Sequence, residues 1–159
     1  MDWTARIHFG CIAALTLAAI VTDIRSRKIP NWLTVTGLVT AIVFHVATAG
    51  FEGLKFSLGG FAVGFGVLFV LWMIGGGGGG DVKLMGAIGA WMGATSTFAI
   101  FILSTFFALG CIVLMMAWGF VAPQKASESE PLFRKTIPYA IPAGLASWAV
   151  VLAKLSSAG

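Results

Sequence analysis

Charge is what this sequence has least of: among 159 residues there are ten Lys or Arg and six Asp or Glu, 10% in all, against about 25% in an ordinary soluble domain. With 58% hydrophobic residues and a mean hydropathy of +0.97, that scarcity excludes a soluble globular protein and points to a polytopic membrane protein. No polar run is long enough to fold separately, so residues 1–159 read as one domain. Cysteine is nearly absent too. Cys11 and Cys111 both fall in apolar segments, a pattern of small core residues and not of a disulfide framework or a metal site. The two histidines, His8 and His45, stand isolated on apolar helices, where packing or interfacial placement explains them. No Ser/His/Asp, Cys/His or His-Glu-x-x-His arrangement occurs, so serine, cysteine and zinc mechanisms lack support and neither metal nor cofactor is expected. The net charge of +4 comes from basic residues beside apolar spans, which serve topology better than nucleic-acid binding.

Glycine, by contrast, is concentrated. Gly75 to Gly80 form an unbroken run that leads into Asp81, Val82 and Lys83. Six glycines would cost a helix roughly 5–6 kcal/mol relative to alanine, so the helix must break there. It restarts through Val82 to Met92, with Asp81 expected as the N-cap. The resulting expectation is an all-α protein with about six transmembrane helices and a glycine-rich break before the fourth. The first span ends near Val21, and a cleaved signal peptide is disfavoured because no soluble domain follows. A short basic connection with Asp23, Arg25, Arg27 and Lys28 leads to Pro30 and to Asn31, a plausible N-cap. Spans follow over 32–49 and 56–74, the latter carrying Gly60 and Gly64, small residues four apart that let helices approach closely. Val82 to Met92 is too short to cross alone and is expected to cross with help from the glycine segment. Residues 95–121 and 137–155 complete the set, separated by a solvated polar loop. One side then collects Arg25, Arg27, Lys28, Lys83, Lys125, Arg134 and Lys135, and the other Arg6, Lys55 and Lys154. By the positive-inside rule the first side is cytoplasmic and both termini face away from it.

Six carboxylates are available for chemistry. Asp2 and Glu52 fall at the non-cytoplasmic edge and Glu128 and Glu130 in the polar loop, which leaves Asp23 and Asp81 at the cytoplasmic end. An acid kept in or near lipid costs up to roughly 2.5–3.5 kcal/mol and is a functional candidate by default. Two carboxylates in a partly desolvated site tend to hold one proton between them, the state required for water to attack a peptide bond. Each acid also has a purely structural reading: Asp81 as a helix cap, and Asp23 as the counter-charge of Arg25 and Arg27. Lys83 can neutralise the site or bind lipid phosphate.

These residues resemble the prepilin peptidases, intramembrane aspartic proteases of the Gly-x-Gly-Asp type. Gly78-Gly79-Gly80-Asp81 matches that motif and Asp81-Val82-Lys83-Leu84 its continuation. Asp23-Ile24-Arg25 with Ile29-Pro30-Asn31 is similar to the segment around the family's other aspartate, and Pro138-Tyr139-Ala140-Ile141-Pro142 to a proline pattern near its C-terminal end. The resemblance implies an aspartic endopeptidase of the inner, cytoplasmic membrane, with Asp23 and Asp81 catalytic and Gly78, Gly80 and Lys83 in support. It implies a prepilin or similar precursor as substrate, cut on the cytoplasmic side between a short basic leader and a hydrophobic helix, with membrane lipid and pilus assembly machinery as partners. Larger members carry a zinc-binding insertion and methylate the new amino terminus; this chain has no such insertion, so methylation is not expected. The size is closer to the peptidases of Flp-type pili, and archaeal preflagellin peptidases are also similar.

Two readings from other classes compete. In one, a small transporter or channel uses Asp23 and Asp81 as a proton or cation relay beside a broken helix, although no internal repeat is evident. In the other, the chain is a non-catalytic assembly subunit. A presenilin-like protease is disfavoured because the Tyr-Asp pair is missing and Pro142-Ala143-Gly144-Leu145 is a distant echo of that family's Pro-Ala-Leu.

Overall fold

The computed structural model describes residues 3–26, 28–74, 78–121 and 140–157, all of it helix and short connections. The helices are α1 (Trp3–Ser26), α2 (Asn31–Met73), α3 (Gly79–Met92), α4 (Ala94–Val121) and α5 (Ala140–Ser157). Gly75 to Gly77, Arg27 and the whole polar segment 122–139, with Glu128, Glu130, Pro138 and Tyr139, lie outside the described residues.

The spans expected at 32–49 and 56–74 belong to α2, two helices joined at Gly50, the one residue within it whose backbone is not helical, with φ 56° and ψ −132°. A left-handed φ of this kind is costly for residues bearing a Cβ, so the glycine marks where the chain can turn. It turns back on itself. His45 stacks on Phe56 with ring centroids 4.9 Å apart, whereas eleven residues of straight helix would separate them by roughly 16 Å. The carbonyl of His45 also occupies the place a Cβ on Gly53 would take. The two arms, 31–49 and 51–73, are therefore antiparallel.

The same alternation runs through the chain. Leu15 packs on Gly37, and Ile20 on Gly144. Trp91 Nε1 donates to the Gly37 carbonyl at 2.9 Å, and Trp148 Nε1 to Thr16 Oγ1 at 2.9 Å. These pairs make α1 antiparallel to the first arm of α2 and to α5, with α3 running alongside that arm. The closest approach is between the second arm and α3: a Cβ on Gly60 would collide with the Gly89 carbonyl, and one on Gly64 with that of Met85. The small-residue pair at Gly60 and Gly64 thus does what its spacing predicts.

α3 is the axis of the molecule. Val82 and every residue from Leu84 to Met92 are buried, and Ile12, Leu15, Ala41, Ile100, Ala143 and Ala146 close around them. A helix apolar on all sides belongs at the centre of a bundle, where it needs no lipid-facing stripe. The outer helices show the reverse. α1 and α2 are the two helices among the described residues long and apolar enough to cross a membrane, yet only 28% and 17% of their most apolar windows are buried. Val43 is 61% exposed and Phe106 68%. An outward surface this apolar is consistent with lipid as its solvent. Cys11 packs beside the core as a free thiol.

Candidate active site

α1 delivers Asp23 to one end of the bundle in its last turn. There the carboxylate is 8% exposed, and its Oδ2 accepts a hydrogen bond at 3.2 Å from the backbone N–H of Ala140. Ala140 opens α5, so Asp23 satisfies one of the N–H groups that a helix start leaves without an internal partner. The bond spans most of the sequence and joins the first helix to the last. Asp23 is thus held by a backbone N–H, and no ion pair with Arg25 is found among the described residues.

Asp81 reaches the same end from the start of α3. The expectation that it would be the N-cap is corrected: Gly78 is the cap, and Asp81 is the third helical residue. From there its Oδ2 reaches back to accept the Gly78 N–H at 3.2 Å. This is the return half of a capping box, and a glycine has no side chain to supply the other half. A Cβ on Gly78 would stand 3.0 Å from that oxygen, so the motif's first glycine leaves room for the motif's own carboxylate. Gly80 sits on Ile29, whose side chain would lie 3.5 Å from an added Cβ, an ordinary contact. The motif thereby packs against the Ile29-Pro30-Asn31 segment.

Lys83 is directed elsewhere than the acids. Its Nζ donates to Asn31 Oδ1 at 2.9 Å, tying the start of α3 to the start of α2. Asn31 is accordingly not the N-cap expected of it. Pro30 holds that position, and its carbonyl takes the Leu33 N–H at 3.2 Å.

Electrostatically the two acids belong to one site. Asp81 stands ahead of the apolar run of α3, and its carboxyl is pushed up from 3.8 to about 6. Burial is the main cause; the Gly78 hydrogen bond opposes it, and the negative charge of Asp23 adds to it. Ile29 against Gly80 and Lys83 on Asn31 set the start of α3 beside the connection that follows Asp23, so both carboxylates stand at one end of the bundle. Such a pair can keep one proton between its members and present an acid and a base to the same small molecule.

The other sequence candidates gather at the opposite end. His8 and His45, isolated in sequence, lie with ring centroids 5.3 Å apart, and Trp91 stands edge-on to His8 at 5.5 Å. The two histidines line an open cavity of about 970 Å³ that neither aspartate touches. No group of three metal-ligating side chains occurs among the described residues. Three things escaped sequence reasoning: the histidine pairing, the Ala140 N–H as Asp23's partner, and Asn31 as the partner of Lys83. Each depends on a contact between helices remote in sequence.

A search of curated proteins returned no match. The model of the type IV leader peptidase family matches residues 10–126, a stretch that includes Asp23, the glycine run and Asp81 and stops before α5. With that match over most of its length, the chain belongs to the type IV leader peptidase family and is a peptidase, a hydrolase acting on peptide bonds.

Proposed function

We propose that this protein removes the short basic leader from type IV, Flp-like prepilins at the cytoplasmic face of the inner membrane, with Asp23 and Asp81 as the catalytic pair. One observation carries the assignment: carboxylates from α1 and α3 share one end of the bundle, and the charge of one raises the proton affinity of the other. Asp81, the acid pushed up to about 6, is the natural holder of the shared proton. Asp23 then takes a proton from the attacking water while Asp81 donates a hydrogen bond to the scissile carbonyl. In the next step a proton passes to the departing amine, the peptide C–N bond breaks, and the pair returns to its singly protonated state. The hydrogen bonds from Gly78 and Ala140 hold each carboxylate in place meanwhile.

The orientation follows from counting legs. With the two arms of α2 taken separately, the chain runs in six legs of alternating direction, which supports six crossings. The ends of α1, of the second arm of α2 and of α4 then share a side with the starts of α3 and α5. By sequence, seven of the ten basic residues belong to the connections assigned to that side, which supports a cytoplasmic placement for it and the other side for both termini. A precursor's apolar helix in the bilayer would then bring its leader junction to the level of the acids.

The test is co-expression with a candidate pilin, following the gel shift of the precursor for wild type, Asp23→Asn and Asp81→Asn. Processing should stop in either variant while both proteins accumulate in the membrane; normal cleavage by either one overturns the assignment.

A further inference from the structure

The second arm of α2 forms a wall beside the glycine motif that the catalytic pair does not use. We infer that Phe69 and Trp72 are the docking surface for the apolar segment of the precursor, and that Trp72 is the positioning residue that seats the first side chains past the cut. The choice of occupant rests on the peptidase reading. Three observations lead to it.

The first is a row of rings that ends at the motif. Phe61, Phe65, Phe69 and Trp72 stack one on the next, with centroids 5.2, 5.3 and 5.8 Å apart. Spacings of four, four and three keep them on one stripe of the helix. Phe61 and Phe65 close on Gly86, where an added Cβ would meet them at 3.1 and 3.2 Å, and Trp72 stands over Gly79. The stripe therefore follows α3 for about two turns, up to the glycines before Asp81.

The second is that the seam between these helices opens along the same path. At Gly60 and Gly64 an added Cβ would collide with the backbone of α3, whereas at Gly79 it would find one atom within 4 Å, Trp72 Nε1 at 3.8 Å. The helices splay toward the acids. Every residue of α2 from Phe69 to Ile74 is exposed, and so are Gly78 and Gly79; Trp72 is 48% exposed and Phe69 37%. A last turn and a half exposed all round leaves apolar surface uncovered on the side of its own bundle as well as toward lipid.

The third is reach. Asp81 Oδ2 accepts from the Gly78 N–H, and Gly79 is the next residue, so two glycines alone lie between the carboxylate and the indole. Through that chain of contacts the separation is no more than roughly 14 Å, about four residues of extended chain. A precursor with its scissile bond at the acids thus brings its second to fourth residues past the cut to Trp72. Its helix then enters the bilayer antiparallel to the second arm, along Phe69 and Phe65. Stacked rings present a fixed, ridged face that suits side chains three and four apart on a second helix, and glycine without a Cβ leaves room for the extended backbone.

The test uses the full chain in proteoliposomes with synthetic precursor peptides, each a short basic leader followed by an apolar helix. In one set a diazirine-bearing leucine stands at the second, third or fourth residue past the cut, and the protein is Asp23→Asn, whose amide keeps an oxygen for the Ala140 N–H while the peptide stays whole. Adducts mapped by mass spectrometry should fall within residues 65–72 for at least one position; none there from all three overturns the inference, whatever happens to cleavage. In the other set wild type and Trp72 variants cut peptides with leucine or alanine at those three positions. Trp72→Ala should raise KM about tenfold, the effect of losing one buried apolar contact, with kcat within about twofold. Trp72→Phe should bring KM back to within about threefold of wild type. The alanine peptide should cost wild type about tenfold in KM and Trp72→Ala less than about threefold. An indole that only anchored its helix among head groups would leave those two costs equal, and equal costs overturn the inference. A wild type that cuts neither peptide strikes the peptidase reading instead, and the labelling alone then decides whether this surface binds.

Discussion

At one end of the bundle, each acid of the proposed pair is held by a backbone N–H; at the other, an imidazole nitrogen on an equally buried residue has no hydrogen-bond partner among the described residues. Asp23 and His45 are 8% and 6% exposed, so burial does not separate them. What separates them is whether a backbone N–H is donated to the buried group. The acid end receives the first turns of α3 and α5, whose N–H groups need acceptors and whose dipoles favour negative charge. The histidine end receives the reversal of α2 and the junction of α3 with α4, and no hydrogen bond among the described residues reaches His45 Nδ1 there. The carboxylates are thus kept in place at the first end by the chain itself, whereas the second end relies on aromatic packing around a buried imidazole.

The sharpest way to break this comparison is to neutralise each end in turn. Asp23→Asn and Asp81→Asn should each lower the rate of precursor cleavage by about a thousandfold or more, within the range lost with an acid–base group, as read by single-turnover cleavage in proteoliposomes. His45→Phe should leave that rate within about twofold, because it lies at the other end. A comparable loss in His45→Phe would mean that the ends are not independent.

Next in size is the seam that holds both ends in register. Gly89→Val drives two methyl groups against the Gly60 carbonyl and Thr97. Overpacking of this kind costs typically 1–3 kcal/mol, and backbone on the opposing side gives little room to relax. The midpoint of thermal unfolding in detergent should fall by several degrees; an unchanged midpoint would show that α2 and α3 are not in this contact.

A milder handle is pH. Activity that requires the shared proton should decline as pH rises through about 6, with the apparent value belonging to the pair. The stability contribution has the same sign. A carboxyl that binds its proton more tightly when folded favours the folded state below about 3.8 and loses that advantage between 3.8 and about 6 as the proton leaves. Unfolding midpoints of wild type should therefore drop across that window relative to those of Asp81→Asn. Smallest is Lys83→Met, which removes an exposed bond to Asn31. Such a bond contributes on the order of 1 kcal/mol, and cleavage should slow by less than about tenfold. A complete loss would mean that Lys83 touches the substrate.

The acid end was largely readable in the sequence because its signals are local. Six glycines must break a helix, and Asp81 follows them directly; Asp23 stood out because few carboxylates exist to compete with it. The close approach at Gly60 and Gly64 was readable from their spacing for the same reason. Capping was misread at two positions, Asp81 and Asn31, because a residue that prefers a helix start can serve one of several positions within the first turn. Which position it takes depends on the partners that the fold provides. At Asn31 that partner is Lys83, and at Asp81 it is Gly78. The histidine end was unreadable. His8 and His45 lie on different helices, and only the antiparallel packing of α1 against α2 brings their rings together. The reversal at Gly50 was expected as a brief loop and is confined to that one residue, where two antiparallel helices meet.

The central claim is that Asp23 and Asp81 act on one another through space. Infrared titration of the Asp81 carboxyl band in lipid, with and without Asp23→Asn, tests it most directly. Asp81 should titrate near 6 in wild type. Removing the charge of Asp23 should lower that value while leaving it above 3.8, because burial remains. An Asp81 titration identical in both proteins would contradict the shared proton and leave two independent carboxylates.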